Sequence, residues 1–207
     1  RALSSAASDV YKRQVNACIR DEKSRTYELC KDFLEKFKKA KQGENWEIEE
    51  LKLDESDIKP HSKESLANRD KMISENDFEN EEFDFARQFI EADMVLIGAP
   101  YWDLSFPAKL KIYLERCSVT GLTFIYSPEG IPKGQCKAEK LVYLTTSGSP
   151  IADFNLGYEY VRSLCCNLFG LKETYFAAAE ELDIIGKDVK KIMNDAKDKI
   201  TDIVREL

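Results

Sequence analysis

Six residues without polar alternation, Met94-Val95-Leu96-Ile97-Gly98-Ala99, set the strongest limit on what this chain can fold into. A run of that length with no two-residue period is the pattern of a strand covered on both faces, as in the middle of a parallel sheet. Ser105 and Pro107 mark the start of a helix, since proline is tolerated in a first turn where its missing N–H would have had no partner. Phe106, Leu110, Tyr113, Leu114 and Cys117 share one face of it. Between strand and helix lies Pro100-Tyr101-Trp102-Asp103-Leu104, at the carboxyl end of a buried strand, where open α/β sheets bind ligands. Two large aromatics there point to a flat ligand.

The rest of the chain supplies partners for that unit. Val15 to Cys18 reads as the end of a first strand, and Ser24 or Thr26 as the cap of a helix running to about Lys41 with Leu29, Cys30, Phe33, Leu34 and Phe37 on its apolar face. Trp46 to Leu53 alternates as an edge strand. Residues 54–77 read as a polar surface excursion in which His61, the sole histidine, is solvated. An acidic run, Glu75 to Asp84, enters a helix carrying Phe83, Phe85, Ala86, Phe89 and Ile90, and favourable charge at a helix start accounts for it. Val119 to Cys136 is a long loop or hairpin rich in Gly, Pro and aromatics. Leu141 to Thr146 is another buried strand, followed by a helix over about 154–169, a strand over 174–179 and a last amphipathic helix to Leu207. Five strands alternating with helices predict an α/β three-layer sandwich, a five-stranded parallel sheet with helices on both faces.

With 207 residues and 43% apolar content, the chain can bury a full core as one domain. Its net charge of −7 argues against nucleic-acid binding, and no apolar run is long enough to span a bilayer. Six cysteines in neither C-x-x-C nor disulfide-scaffold spacing read as reduced, cytoplasmic thiols, with no metal site. Residues 1–14 resemble translated adapter sequence and read as a non-native leader to a domain spanning 15–207. They would place Lys12 and Arg13 in a central strand, where unpaired burial costs several kcal/mol each.

Three strand-end loops should meet on one sheet edge. The loop holding Arg20, Ser24, Arg25 and Thr26 combines helix-terminal N–H groups, hydroxyls and positive charge, which suits a phosphate; the same residues also read as an ordinary cap with surface arginines. Neither a G-x-x-x-x-G-K-[ST] nor a G-x-G-x-x-G pattern is present, so no nucleoside triphosphate or Rossmann dinucleotide site is indicated. Thr146-Ser147-Gly148-Ser149 lets backbone approach a ligand closely and present N–H groups to an anion. Together the loops suit a planar ring system joined to one phosphate.

Gly98 to Pro107, Leu110-Lys111-Ile112-Tyr113, Gly121-Leu122-Thr123-Phe124 and Thr145-Thr146-Ser147-Gly148 resemble the flavodoxin-like NAD(P)H:quinone oxidoreductases, above all the FMN-dependent NADH-azoreductases. The resemblance runs from about Val15 to the C-terminus. It implies a homodimer with FMN at the subunit interface, NADH or NADPH as donor, and reduction of a quinone or azo compound by a two-step ping-pong exchange. Carried onto this chain, it assigns the FMN phosphate to Arg20, Ser24, Arg25 and Thr26. It assigns the isoalloxazine to Pro100, Tyr101, Trp102, Asp103 and Leu104, and its pyrimidine side to Thr146, Ser147, Gly148 and Ser149. Phe124 and Tyr126 are assigned to the substrate pocket, and no side chain is a catalytic acid or base. Two departures stand out: the family often has asparagine where Asp103 stands and glycine where Ser149 stands. A carboxylate beside a reduced flavin is unfavourable, so Asp103 is expected to point away. A flavodoxin-type electron carrier and a flavin-free interaction or sensor module are the alternatives.

Overall fold

The computed structural model describes residues 10–44 and 46–207. Seven strands and six α-helices occur among them: β1 (Val10–Asn16), α1 (Arg25–Ala40), β2 (Trp46–Lys52), α2 (Lys63–Ser74), α3 (Asp84–Glu91), β3 (Met94–Gly98), α4 (Ala108–Cys117), β4 (Phe124–Tyr126), β5 (Pro132–Gly134), β6 (Lys140–Thr146), α5 (Leu156–Leu164), β7 (Glu173–Ala179) and α6 (Val189–Glu206). Five strands form one parallel sheet in the order β2-β1-β3-β6-β7. The strand order reverses between β1 and β3, and that reversal opens a crevice outside the carboxyl ends of those strands.

The apolar run behaves as its lack of alternation requires. Every residue of β3 is buried. Val95 and Ile97 face Phe89, Leu110, Tyr113 and Leu114, while Met94 and Leu96 face the layer of α1 and α6. Leu29, Phe33 and Phe37, spaced by four, put one stripe of α1 into that second layer. Each such side chain contributes roughly 1.5–3 kcal/mol by burial. α5 ends in one wider π turn over Cys165–Phe169, stopped by Gly170 at φ 89°. The 119–136 segment is an antiparallel hairpin of β4 and β5, packed by Gly134 against the backbone of Phe169.

Three local expectations need correction. Residues 54–77 contain a helix, α2, which holds no buried residue and is started by a reciprocal Ser62–Ser65 capping box. His61 is half-buried rather than solvated; burial, with Arg116 and Arg69 nearby, lowers its pKa. Arg13 is indeed buried in a central strand, but it is paired: Nη1 meets Glu49 at 2.5 Å and Nη2 donates to Gln88 Oε1 at 2.7 Å. Residues 1–9, and the Lys12 side chain, lie outside the described residues.

Candidate functional site

A cleft of about 320 Å³ opens at the sheet's carboxyl edge. Its volume falls at the lower end of the roughly 300–1,000 Å³ usual for ligand sites. Three loops expected to converge do so there: Arg20, Ser24, Arg25 and Thr26 from the first, Pro100, Tyr101 and Trp102 from the second, and Thr146, Ser147 and Gly148 from the third.

The first wall is the start of α1. Ser24 caps the helix, its side chain accepting from the Tyr27 N–H at 3.3 Å. Among the described residues the amides of Arg25 and Thr26 have no acceptor, as expected of the first turn. Arg20 and Lys23 are exposed, and among the described residues neither side chain has an ion-pair partner. Two unengaged amides at the positive end of a sixteen-residue helix, with two unengaged cations beside them, form a ready anion site. Thr26 is fully buried and its Oγ1 lies 2.6 Å from Thr146 Oγ1, locking this wall to the third loop. Burial pushes the Cys18 thiol up to about 11, so it stands behind the cradle as a neutral group.

The second wall is aromatic. The Tyr101 N–H donates to Thr146 O at 3.0 Å and its hydroxyl to Phe154 O at 3.0 Å, which fixes the ring at both ends. Trp102 and Ser105 exchange backbone bonds across a two-residue turn, with Asp103 at φ 49° and Leu104 at φ 66°. That is the type I′ geometry, which favours Asn-Gly, and a leucine in the left-handed region costs about 1–2 kcal/mol. The turn leaves Asp103 and Leu104 outside the cleft lining, where the resemblance had assigned both to the isoalloxazine.

In the third wall most donors are engaged. Ser147 N–H donates to Ala179 O at 2.9 Å and Ser149 N–H to Ser147 Oγ at 3.2 Å. Of the three amides from Ser147 to Ser149, Gly148's alone has no acceptor among the described residues. Ser149 lies outside the lining. Phe124 is buried in the core, edge-on to Tyr126 with ring centres 5.5 Å apart, and Tyr126 is exposed on the hairpin; in the single chain neither borders the cleft.

The five-stranded parallel sheet agrees with the fold that similarity to known proteins shows. Residues 14–204 match the family defined by the flavodoxin-like fold. The chain belongs to that family. It is 33% identical over 187 residues to the FMN-dependent NADH:quinone oxidoreductase of Lachnoclostridium phytofermentans, covering 88% of this chain and 91% of the relative. Identity to the enzyme of that description from Clostridium beijerinckii is 35% over 179 residues, 86% and 88% of the two chains. An azoreductase from Bacillus anthracis superposes with a TM-score of 0.83 at 23% identity, over 96% of this chain and all of that one. The FMN-dependent NADH-azoreductase of that species, solved in complex with FMN, gives 0.82 at 19% identity, covering 95% and 98%.

For a member of this family, four lining residues escaped the sequence reading: Ile19, Lys23, Leu182 and Asp183. The first two belong to a loop already singled out. Asp183 follows β7, and its N–H donates to Gly148 O at 3.1 Å while Oδ1 takes Arg25 Nη1 at 3.0 Å. A fourth carboxyl-end loop next to the third was the available signal, since β7 pairs with β6 throughout.

Proposed function

We propose that the protein is an FMN-dependent oxidoreductase that takes hydride from NADH and reduces quinones, with azo compounds as further acceptors. The observation that carries this reading is the cleft itself. Among the described residues two amides and two cations without partners stand at one end, a pinned aromatic in the middle and one glycine amide without an acceptor at the other, and the relatives named above share the chain over nearly its whole length. These groups fit a flavin mononucleotide. Arg20, Lys23 and the Arg25 and Thr26 amides would hold the phosphate, Tyr101 and Trp102 would flank the ring, and the Gly148 amide would donate to its pyrimidine side. Bound there, the flavin supplies the hydride acceptance and two-electron transfer.

The protein's share is binding, orientation and electrostatics. The Gly148 donor is positioned before any charge develops, so it stabilises negative charge on the ring without reorganisation. The lone histidine, His61, is not among the residues that line the cleft. Removing Arg20 takes away a charge-assisted contact to phosphate and leaves the ring contacts unchanged.

The same reading includes a homodimer, supported by apolar groups left exposed beside the cleft (Trp102, Leu104, Phe154 and Leu156) and on the hairpin (Ile125, Tyr126 and Ile131). It also includes a cytoplasmic location, supported by six cysteines that are all free thiols. Steady-state oxidation of NADH with a benzoquinone tests the function. Parallel double-reciprocal lines that require added FMN support it, and turnover that does not depend on FMN refutes it.

A further inference from the structure

Arg25 is the one basic residue of the phosphate wall that already has an anionic partner. Its Nη1 lies 3.0 Å from Asp183 Oδ1, both side chains line the cleft, and the pair joins the start of α1 to the loop after β7. Arg20 and Lys23 beside it are unpaired among the described residues. The Asp183 loop is in turn tied to the third wall, with Leu182 N–H donating to Ser147 O at 3.1 Å and Asp183 N–H to Gly148 O. Asp183 also presses on Gly148, since a Cβ at that glycine would overlap its carboxylate. The carboxylate's charge is engaged by Arg25, at the phosphate end, and toward Gly148 it makes a packing contact alone.

We infer that Asp183 is a positioning residue that holds Arg25 in reserve, so that Arg25 exchanges its carboxylate for a phosphate when a phosphorylated ligand enters. This rests on the cofactor reading above. An arginine held this way stays ordered at the cleft mouth, and an anion must displace Asp183 to recruit it. The exchange makes Asp183 a competitor of the phosphate group specifically, with no effect on a ligand that lacks one. The pair is half-exposed, so the competition is modest, about two- to fivefold in affinity.

The test is a flavin titration of the apoprotein, followed by quenching of flavin fluorescence, with FMN and with riboflavin. Asp183→Asn should tighten FMN by about two- to fivefold and leave riboflavin unchanged. Arg25→Gln should weaken FMN more in the Asp183→Asn background than in the native one, and Asp183→Asn should have little effect once Arg25 is gone. If Asp183→Asn tightens FMN by the same factor with and without Arg25, the carboxylate acts as a bare repulsive charge and the exchange is wrong. Equal tightening of riboflavin would also overturn it, by placing the effect at the ring. Failure of the native protein to bind either flavin would overturn the proposed function, and this inference with it.

Discussion

Gly98 closes β3 immediately before the aromatic loop, and a methyl group there would meet a specific atom. A Cβ on Gly98 would stand 2.3 Å from Cys30 Sγ but 3.8 Å from Cys30 Cβ. The first distance is more than an ångström inside ordinary contact and the second is ordinary contact. Both residues are fully enclosed, so neither the strand nor α1 can yield cheaply. Gly98→Ala should therefore cost about 1–3 kcal/mol, the usual range for overpacking. Cys30→Ala removes the sulfur and leaves a small cavity, costing roughly 1–2 kcal/mol. In the double variant the new methyl occupies the space the sulfur left, so it should be more stable than Gly98→Ala alone, with a coupling of at least about 1 kcal/mol. Urea unfolding of the four proteins measures this, with m-values checked for constancy. Additivity within about 0.5 kcal/mol would refute the packing argument.

Arg13→Leu should lower stability by about 1–3 kcal/mol, because it removes the Glu49 pair and leaves Gln88 Oε1 without the donor that Arg13 supplies; an unchanged or raised Tm would contradict it. Burial lowers the pKa of His61, so the unfolded chain binds the extra proton first and stability falls as pH drops through the ordinary histidine range. His61→Gln should flatten that acid-side loss in chemical denaturation at several pH values. At the other end, burial raises Cys18 to about 11 and Cys136 to about 12. Stability should therefore decline from about pH 9 upward as the unfolded thiols ionise first, and a flat profile would show those thiols to be solvated. Arg20→Ala should weaken FMN binding about tenfold while leaving riboflavin binding unchanged, measured by the same fluorescence titration.

The β3 run, the alternation of strands and helices and the α1 stripe were legible because each is a periodic burial pattern, and these patterns fix the sheet and its covered faces. The convergence of the Arg20, Tyr101 and Gly148 loops followed from topology alone. What was not legible depended on long-range partners. Arg13 looks unacceptable in a central strand until Glu49 and Gln88 are seen beside it. α2 has a weak amphipathic pattern and no buried residue, so only its capping box could have announced it. Asp183 resembles any loop carboxylate until the pairing of β6 and β7 brings it against Gly148. Engagement of the Ser147 and Ser149 amides is likewise a matter of turn geometry that composition does not encode.

The most direct test of the central claim is the visible spectrum of the protein loaded with FMN, desalted, and treated with NADH without oxygen. Flavin absorbance that survives desalting and bleaches on adding NADH is the predicted result. Flavin that is retained but not bleached would make the protein an electron carrier, and flavin lost on desalting would contradict the assignment of the cleft.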